Sequence, residues 1–182
     1  MEKELEIKVL NMDLEDLEKR VIALGAEKVS VEEQENLRIN AKENPIDEEL
    51  GYLRLRQTTF EDGSVENEFT FKAKDKGKTV RNYSEYTVQV DDKDTLLEIL
   101  KIMGYDQIIP GYKHRVRYKY QGAKFDFDTW DKESYPTPYM EIEGESEEQI
   151  GELIKILEIP EENVSKKSIA ELRKEWKKIE NK

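Results

Sequence analysis

Glu4, Glu6 and Lys8 stand two residues apart, alternating with Leu5, Ile7 and the following Val9. The same spacing returns in Arg54/Arg56, Lys72/Lys74, Lys113/Arg115/Arg117, Asp126/Asp128 and Glu141/Glu143, each interleaved with aliphatic or aromatic residues. Side chains two apart on a strand share a face, so these segments read as strands with one charged and one apolar side. Arg81 and Glu85 share a parity on a further segment. Like charges side by side on one strand face repel unless an opposite charge or a ligand answers them. The signs are also sorted by segment, whereas a surface built for solubility mixes them. Carboxylates with no softer donor beside them are hard oxygen ligands, suited to Mg²⁺ or Mn²⁺. Arginine grips phosphate oxygens as a fork, and lysine does so as a point charge. Together they describe a site for an anionic, metal-bound ligand such as a polyphosphate, and they can stabilise the charge of phosphoryl transfer.

Few other groups compete for the chemistry. There is no cysteine and a single histidine, His114, which lies on the apolar parity of its strand and is expected to be packed. Direct attack by a metal-activated water or hydroxyl is then the simplest mechanism. Gly77-Lys78-Thr79 echoes the end of a phosphate-binding loop, but Lys72 stands where the first glycine should be, so a hairpin turn is expected. Asp126-Phe127-Asp128 lacks the parallel strand–helix–strand setting of an aspartyl-phosphate nucleophile. It reads as a metal-ligand pair or a solvated strand face.

The elements that must position these residues follow from periodicity. Strands are expected at 2–10, 51–59, 65–74, 79–90, 108–120, 123–129 and 139–145, with a weakly patterned extended stretch at 28–40. Helices are expected after Asp13, over Asp94–Met103, after Ser146 and over Ser165–Ile179. An antiparallel sheet with one wet face would explain any one strand. Roughly eight antiparallel strands can instead close into a barrel with the charged face inward. The expectation is an α+β fold, an eight-stranded closed barrel with flanking helices, as one domain over residues 1–182 without a linker. Of 182 residues, 42 are acidic and 30 basic, a net charge of −12, which argues against nucleic-acid binding. No apolar run reaches the length of a membrane span, and the N-terminus, MEKELEIK, resembles neither a signal nor a transit peptide. A cytoplasmic monomer or homodimer is expected.

At these residues the sequence resembles the CYTH superfamily, the triphosphate tunnel metalloenzymes, which includes class IV adenylyl cyclases, thiamine triphosphatases and inorganic triphosphatases. The resemblance is carried by Glu4-Leu5-Glu6-Ile7-Lys8, Leu53-Arg54-Leu55-Arg56, Thr70-Phe71-Lys72, Arg81 with Glu85, Lys113-His114-Arg115, Asp126/Asp128 and Glu141-Ile142-Glu143, in that order. It implies a barrel forming a tunnel for a small-molecule triphosphate. Glu4, Glu6, Glu141 and Glu143, with Asp126 or Asp128, would hold divalent metals. Lys8, Arg54, Arg56, Lys72, Arg81, Lys113 and Arg115 would bind the triphosphate. Glu4, Glu6 and Lys8 are the residues expected to be catalytic. Two elements depart from the family pattern. Lys167-Ser168-Ile169 has isoleucine where many members carry tyrosine, and Trp130–Pro138 replaces a short glycine turn. The aromatic residues of that insert either shape the tunnel mouth or fill space. The activity implied is metal-dependent hydrolysis of tripolyphosphate or an organic triphosphate. Cyclisation of ATP and non-catalytic polyphosphate binding are the alternatives.

Overall fold

A computed structural model describes the backbone of residues 2–74 and 81–180, and the side chains of 5–74 and 84–178. The chain runs β1 (Glu2–Val9), α1 (Leu14–Ala23), β2 (Glu27–Asn40), β3 (Gly51–Phe60), β4 (Val65–Lys74), β5 (Arg81–Gln89) and α2 (Lys93–Ile102). It continues through β6 (Gln107–Tyr120), β7 (Ala123–Trp130), β8 (Tyr139–Gly144), α3 (Glu147–Ile156), a 3-10 turn (Glu161–Asn163), β9 (Val164–Ser165) and α4 (Ile169–Glu180). Three helices begin where a side chain caps the free N–H groups of the first turn: Asp13, Asp92 and Ser146 accept from backbone amides of α1, α2 and α3. Gln149 completes the last of these, accepting from the Glu145 N–H. Glycine-104, with φ +92°, follows the end of α2, a backbone conformation that side chains disfavour.

The described strands form a nine-stranded antiparallel sheet in the order β5-β4-β3-β2-β6-β7-β8-β1-β9, and β1 pairs with β5 as well. Glu2–Glu6 of β1 lie opposite Arg81–Glu85 of β5. The opposite edge of β1 is taken by β8, with Leu5–Val9 against Met140–Gly144. Nine strands replace the expected eight, because the two-residue β9 docks on Lys8–Val9 just beyond the point where β5 leaves β1. The weakly patterned stretch is a full 14-residue strand, β2, which pairs with β3 on one side and β6 on the other.

The apolar side of the sheet carries the main cores. Ile7 and Val9 of β1, Phe125 and Phe127 of β7, and Met140 and Ile142 of β8 pack against Leu17 and Val21 of α1 and Ile150 and Leu153 of α3. Leu37, Ile39 and Leu55 pack beneath Leu100 of α2. A third cluster joins Tyr135 and Tyr139 to Leu172, with Trp130, Leu10 and Ile169 beside it, and so anchors α4. With α1, α2 and α3 holding the apolar side, the charged residues of β1 to β8 are left facing one another. His114 departs from expectation: its ring is half-exposed, and Nδ1 lies 2.7 Å from Glu33. Apolar parity placed it on the outer side, but only tertiary packing decides whether that side is covered.

Candidate functional site

The polar side of the sheet encloses a cavity of about 1130 Å³. Six of the expected phosphate-binding cations line it: Lys8, Arg54, Arg56, Lys72, Lys113 and Arg115. Three of the expected carboxylates do so too: Glu6, Glu141 and Glu143. These residues come from five strands and are separated by up to 137 positions in sequence. Asp126 and Asp128 sit just behind this wall, against Arg115. Glu4 and Arg81 belong to paired stretches of β1 and β5, in register with Tyr83 and Glu6 respectively. Their side chains lie outside the described residues, as does the whole Gly77-Lys78-Thr79 turn.

At the centre is a layered ion network. Lys8, buried to within 2% of full enclosure, places Nζ 3.0 Å from Glu6 Oε1 and 2.9 Å from Glu141 Oε1. Arg115 donates to Asp128 through Nε at 2.6 Å and NH2 at 2.7 Å, and NH2 also reaches Glu141 Oε2 at 2.8 Å. Its NH1 contacts Asp126. Arg117 forks onto Asp126 at 2.6 and 2.7 Å. Lys113 lies 3.0 Å from Asp128, and the Tyr139 hydroxyl donates to Asp128 at 3.1 Å while accepting from the Trp130 indole at 2.8 Å. On the facing wall Arg56 donates to Glu68 and Lys72 contacts Glu85. Lys124 holds Glu143 at 2.8 Å.

The protonation states follow from this packing. Burial raises the Glu141 carboxyl, but Lys8, Arg115 and Lys113 outweigh it and hold the group well below the ordinary carboxylate range. Asp126 is likewise pushed up by burial and pulled lower overall by Arg115 and Arg117. Burial and the adjacent Arg115 bring Lys113 down to about 8. Burial works against the charge of Arg115 too, but its three carboxylate neighbours raise its pKa well above the usual value. Burial, together with Glu141 and Asp128, keeps the Tyr139 phenol neutral.

Every carboxylate whose side chain is described here has a cation against it, and the arrangement has a consequence for metal binding. Among the described residues, no three carboxylates or histidines are grouped to hold an ion. The donor chemistry nevertheless suits a hard divalent cation, because all the candidates are oxygen ligands. Glu6 and Glu143 are also direct register partners across β1 and β8, a like-charge pair that a cation between them would relieve. A ligand bringing its own negative charge would compete for Lys8 and Arg115 and leave carboxylates available.

Several residues of the site escaped the sequence reading. Glu68 sits on the charged parity of β4, so parity could have found it. Asn36 of β2 and Tyr139 of β8 also lie on the polar side, but neutral side chains leave no charge signal. Arg173 of α4 lines the cavity with a buried Nε that has no hydrogen-bond partner among the described residues; nothing in sequence says where that helix docks. The Trp130–Pro138 insert does both things expected of it, since Trp130 and Ser134 line the cavity while Tyr135 packs against Leu172.

Comparison with known proteins places this geometry. The family model described as CYTH domain matches residues 2–170. A protein of Methanocaldococcus jannaschii named "Putative adenylate cyclase MJ0240" is 29% identical over 179 residues, covering 93% of this chain and 98% of its own. The PH1819 protein of Pyrococcus horikoshii has a similar structure, with a TM-score of 0.78 at 23% identity over 94% of this chain and 98% of its own. So has a Hippeastrum protein described as "Putative adenylyl cyclase HpAC1" with a dominant triphosphatase activity. Its TM-score is 0.62 at 15% identity, over 92% of this chain and 91% of its own. Among the described residues no helix is long and apolar enough to cross a membrane.

Proposed function

The chain belongs to the CYTH family, and on that premise we propose that it is a divalent-metal-dependent triphosphatase acting inside an eight-stranded barrel. The observation that carries this reading is the convergence of Lys8, Arg54, Arg56, Lys72, Lys113 and Arg115 on one cavity in a chain of net charge −12. So many cations around one cavity answer a ligand with several negative charges. The β1–β5 pairing supports closure of β1 to β8 around the cavity.

In this reading the triphosphate takes over the Lys8 ammonium and the guanidinium groups of Arg54, Arg56 and Arg115, with Lys72, Lys113 and Arg81 completing the phosphate contacts. Glu4, Glu6, Glu141 and Glu143 would hold Mg²⁺ or Mn²⁺ once those cations are engaged by phosphate. Bound there, the ion would neutralise phosphate charge and lower the pKa of a water. Asp126 and Asp128 orient Arg115, Arg117 and Lys113 so that their donors already face the oxygens where charge gathers. Glu4, Glu6 and Lys8 are the residues assigned to catalysis itself. Placing the water in line with a fixed phosphate chain supplies the rest of the rate through positioning.

A second reading, cyclisation of ATP to cyclic AMP and pyrophosphate, is supported by the name of the M. jannaschii relative. The Hippeastrum protein's dominant triphosphatase activity favours hydrolysis. Incubating the protein with tripolyphosphate and with ATP, in Mg²⁺ and in Mn²⁺, and resolving phosphate, pyrophosphate and cyclic AMP separates the readings. Orthophosphate release is expected to dominate. Cyclic AMP as the main product would overturn the hydrolase, and recovery of both substrates unchanged would leave only a binding module.

A further inference from the structure

The outer side of the fold is not evenly finished. Among the described residues α1 and α3 each leave one large aliphatic side chain exposed, Ile22 and Ile156. α2 leaves three together at its C-terminal end, Ile99, Ile102 and Met103, and Ile102 is 85% exposed. The opposite side of α2 is committed, because Leu96, Leu97 and Leu100 pack with Leu37, Leu55 and Phe69. A shallow groove of about 430 Å³ runs along the outer side, lined by Leu97, Ile99 and Ile102 with Asp94, Glu98 and Lys101.

The patch continues onto the sheet. Val88 of β5 is the register partner of Phe69, which packs with α2, and both Val88 and Tyr86 are more than half exposed. Tyr86-Thr87-Val88-Gln89-Val90 contains no charged residue, in a chain of which 40% is charged. α2 by itself is about 15 Å long, too short for a stable interface of about 800 Å² per partner, and the β5 residues extend it. Two chains of net charge −12 repel each other as they approach, so an apolar area of this kind is where a second copy meets least opposition.

We propose that α2 and Tyr86–Val90 form the interface of a homodimer, in which the two α2 helices pair antiparallel about a two-fold axis. The charges of α2 are self-complementary in that arrangement. Asp94 lies in its first turn and Lys101 in its last, both exposed. An axis midway between them sets Asp94 of each copy against Lys101 of the other, so the contact is made twice, as a two-fold interface requires. The helix dipoles are then opposed as well, which favours the pair. β5 leads directly into the N-terminus of α2. The same rotation therefore carries Ile102 and Met103 of one copy past the start of the other's α2 and toward its Val88. Glu98, which holds Lys101 at 2.7 Å within the chain, stands beside the new pair. The cavity is lined by none of these residues, so the inference is independent of the triphosphate reading.

The test is sedimentation equilibrium of the full chain at micromolar concentration. The wild type is expected at twice the mass of the chain. Ile102→Glu, at a position open to solvent within one chain, should give a monomer with unchanged far-ultraviolet circular dichroism. Asp94→Lys and Lys101→Asp should each weaken the dimer roughly tenfold or more, because each sets like charges against one another twice. Mixed in equal amounts, these two variants should restore dimer, since both contacts are then between opposite charges. A monomeric wild type overturns the proposal and leaves the face to another partner or to none. A dimer that survives Ile102→Glu, or a mixture of the two charge variants no more dimeric than either alone, overturns it too.

Discussion

Arg115 and Asp128 stand opposite each other in the β6–β7 ladder and meet as a two-point fork, Nε to Oδ1 at 2.6 Å and NH2 to Oδ2 at 2.7 Å. Lys113 and the Tyr139 hydroxyl also reach the same carboxylate. A carboxylate has about four acceptor sites, and these donors occupy them. Asp128 is fully buried and serves best as the fixed point that aims two cations into the cavity.

Asp128→Asn should therefore damage the protein more than its distance from solvent suggests. Breaking a buried ion pair on one side leaves charge uncompensated, at a cost of about 3 to 5 kcal/mol. Urea denaturation is expected to show a midpoint shift of that order. A variant as stable as the wild type would mean that the fork contributes little.

Activity should require a divalent cation and the acidic strand pairs. Glu141→Gln keeps the side-chain shape and removes the charge, and Glu4→Gln does the same on β1. Each is expected to weaken metal-dependent turnover at least tenfold while leaving the far-ultraviolet circular dichroism unchanged. Turnover that persists in excess EDTA would refute the assignment.

Tripolyphosphate with Mg²⁺ should raise the melting temperature, because a ligand that binds only the folded protein stabilises it by mass action. At a hundred times Kd the gain is about 2.7 kcal/mol. Differential scanning fluorimetry should show the shift reduced in Arg56→Ala and in Lys113→Ala. An unmoved transition in the wild-type protein would remove the ligand assignment.

Lys113 gives the site a defined pH dependence. Its pKa is about 8 in the folded chain, through burial and Arg115, against 10.5 for an ordinary lysine. Between these values the unfolded chain binds more protons than the folded one, so this group's contribution to stability rises with pH. Relative to Lys113→Met, the wild type should gain stability from pH 7 to pH 10. Affinity for tripolyphosphate should move oppositely, falling above pH 8 as the ammonium is lost, and Lys113→Arg should flatten that fall. A wild-type stability slope equal to that of Lys113→Met would contradict the account.

Much of this was legible in the residues themselves because strand geometry is local. Alternation at period two is set by backbone pleating, so Glu4/Glu6/Lys8, Arg54/Arg56 and Glu141/Glu143 declared a charged face before any contact was known. Caps at Asp13 and Ser146 were equally local. Which of the two sheet faces would be buried, and against what, is decided by the packing of remote elements. His114 obeyed the alternation, yet its ring is half-exposed beside Glu33. The pairing of Lys8 with Glu141 depends on register between β1 and β8, strands far apart in sequence. The meeting of Asn36, Gly111 and Trp130 along the cavity wall leaves no charge signal of its own. It exists only because β2, β6 and the insert after β7 are brought together, and contact between distant segments is fixed by the tertiary structure rather than by local preference.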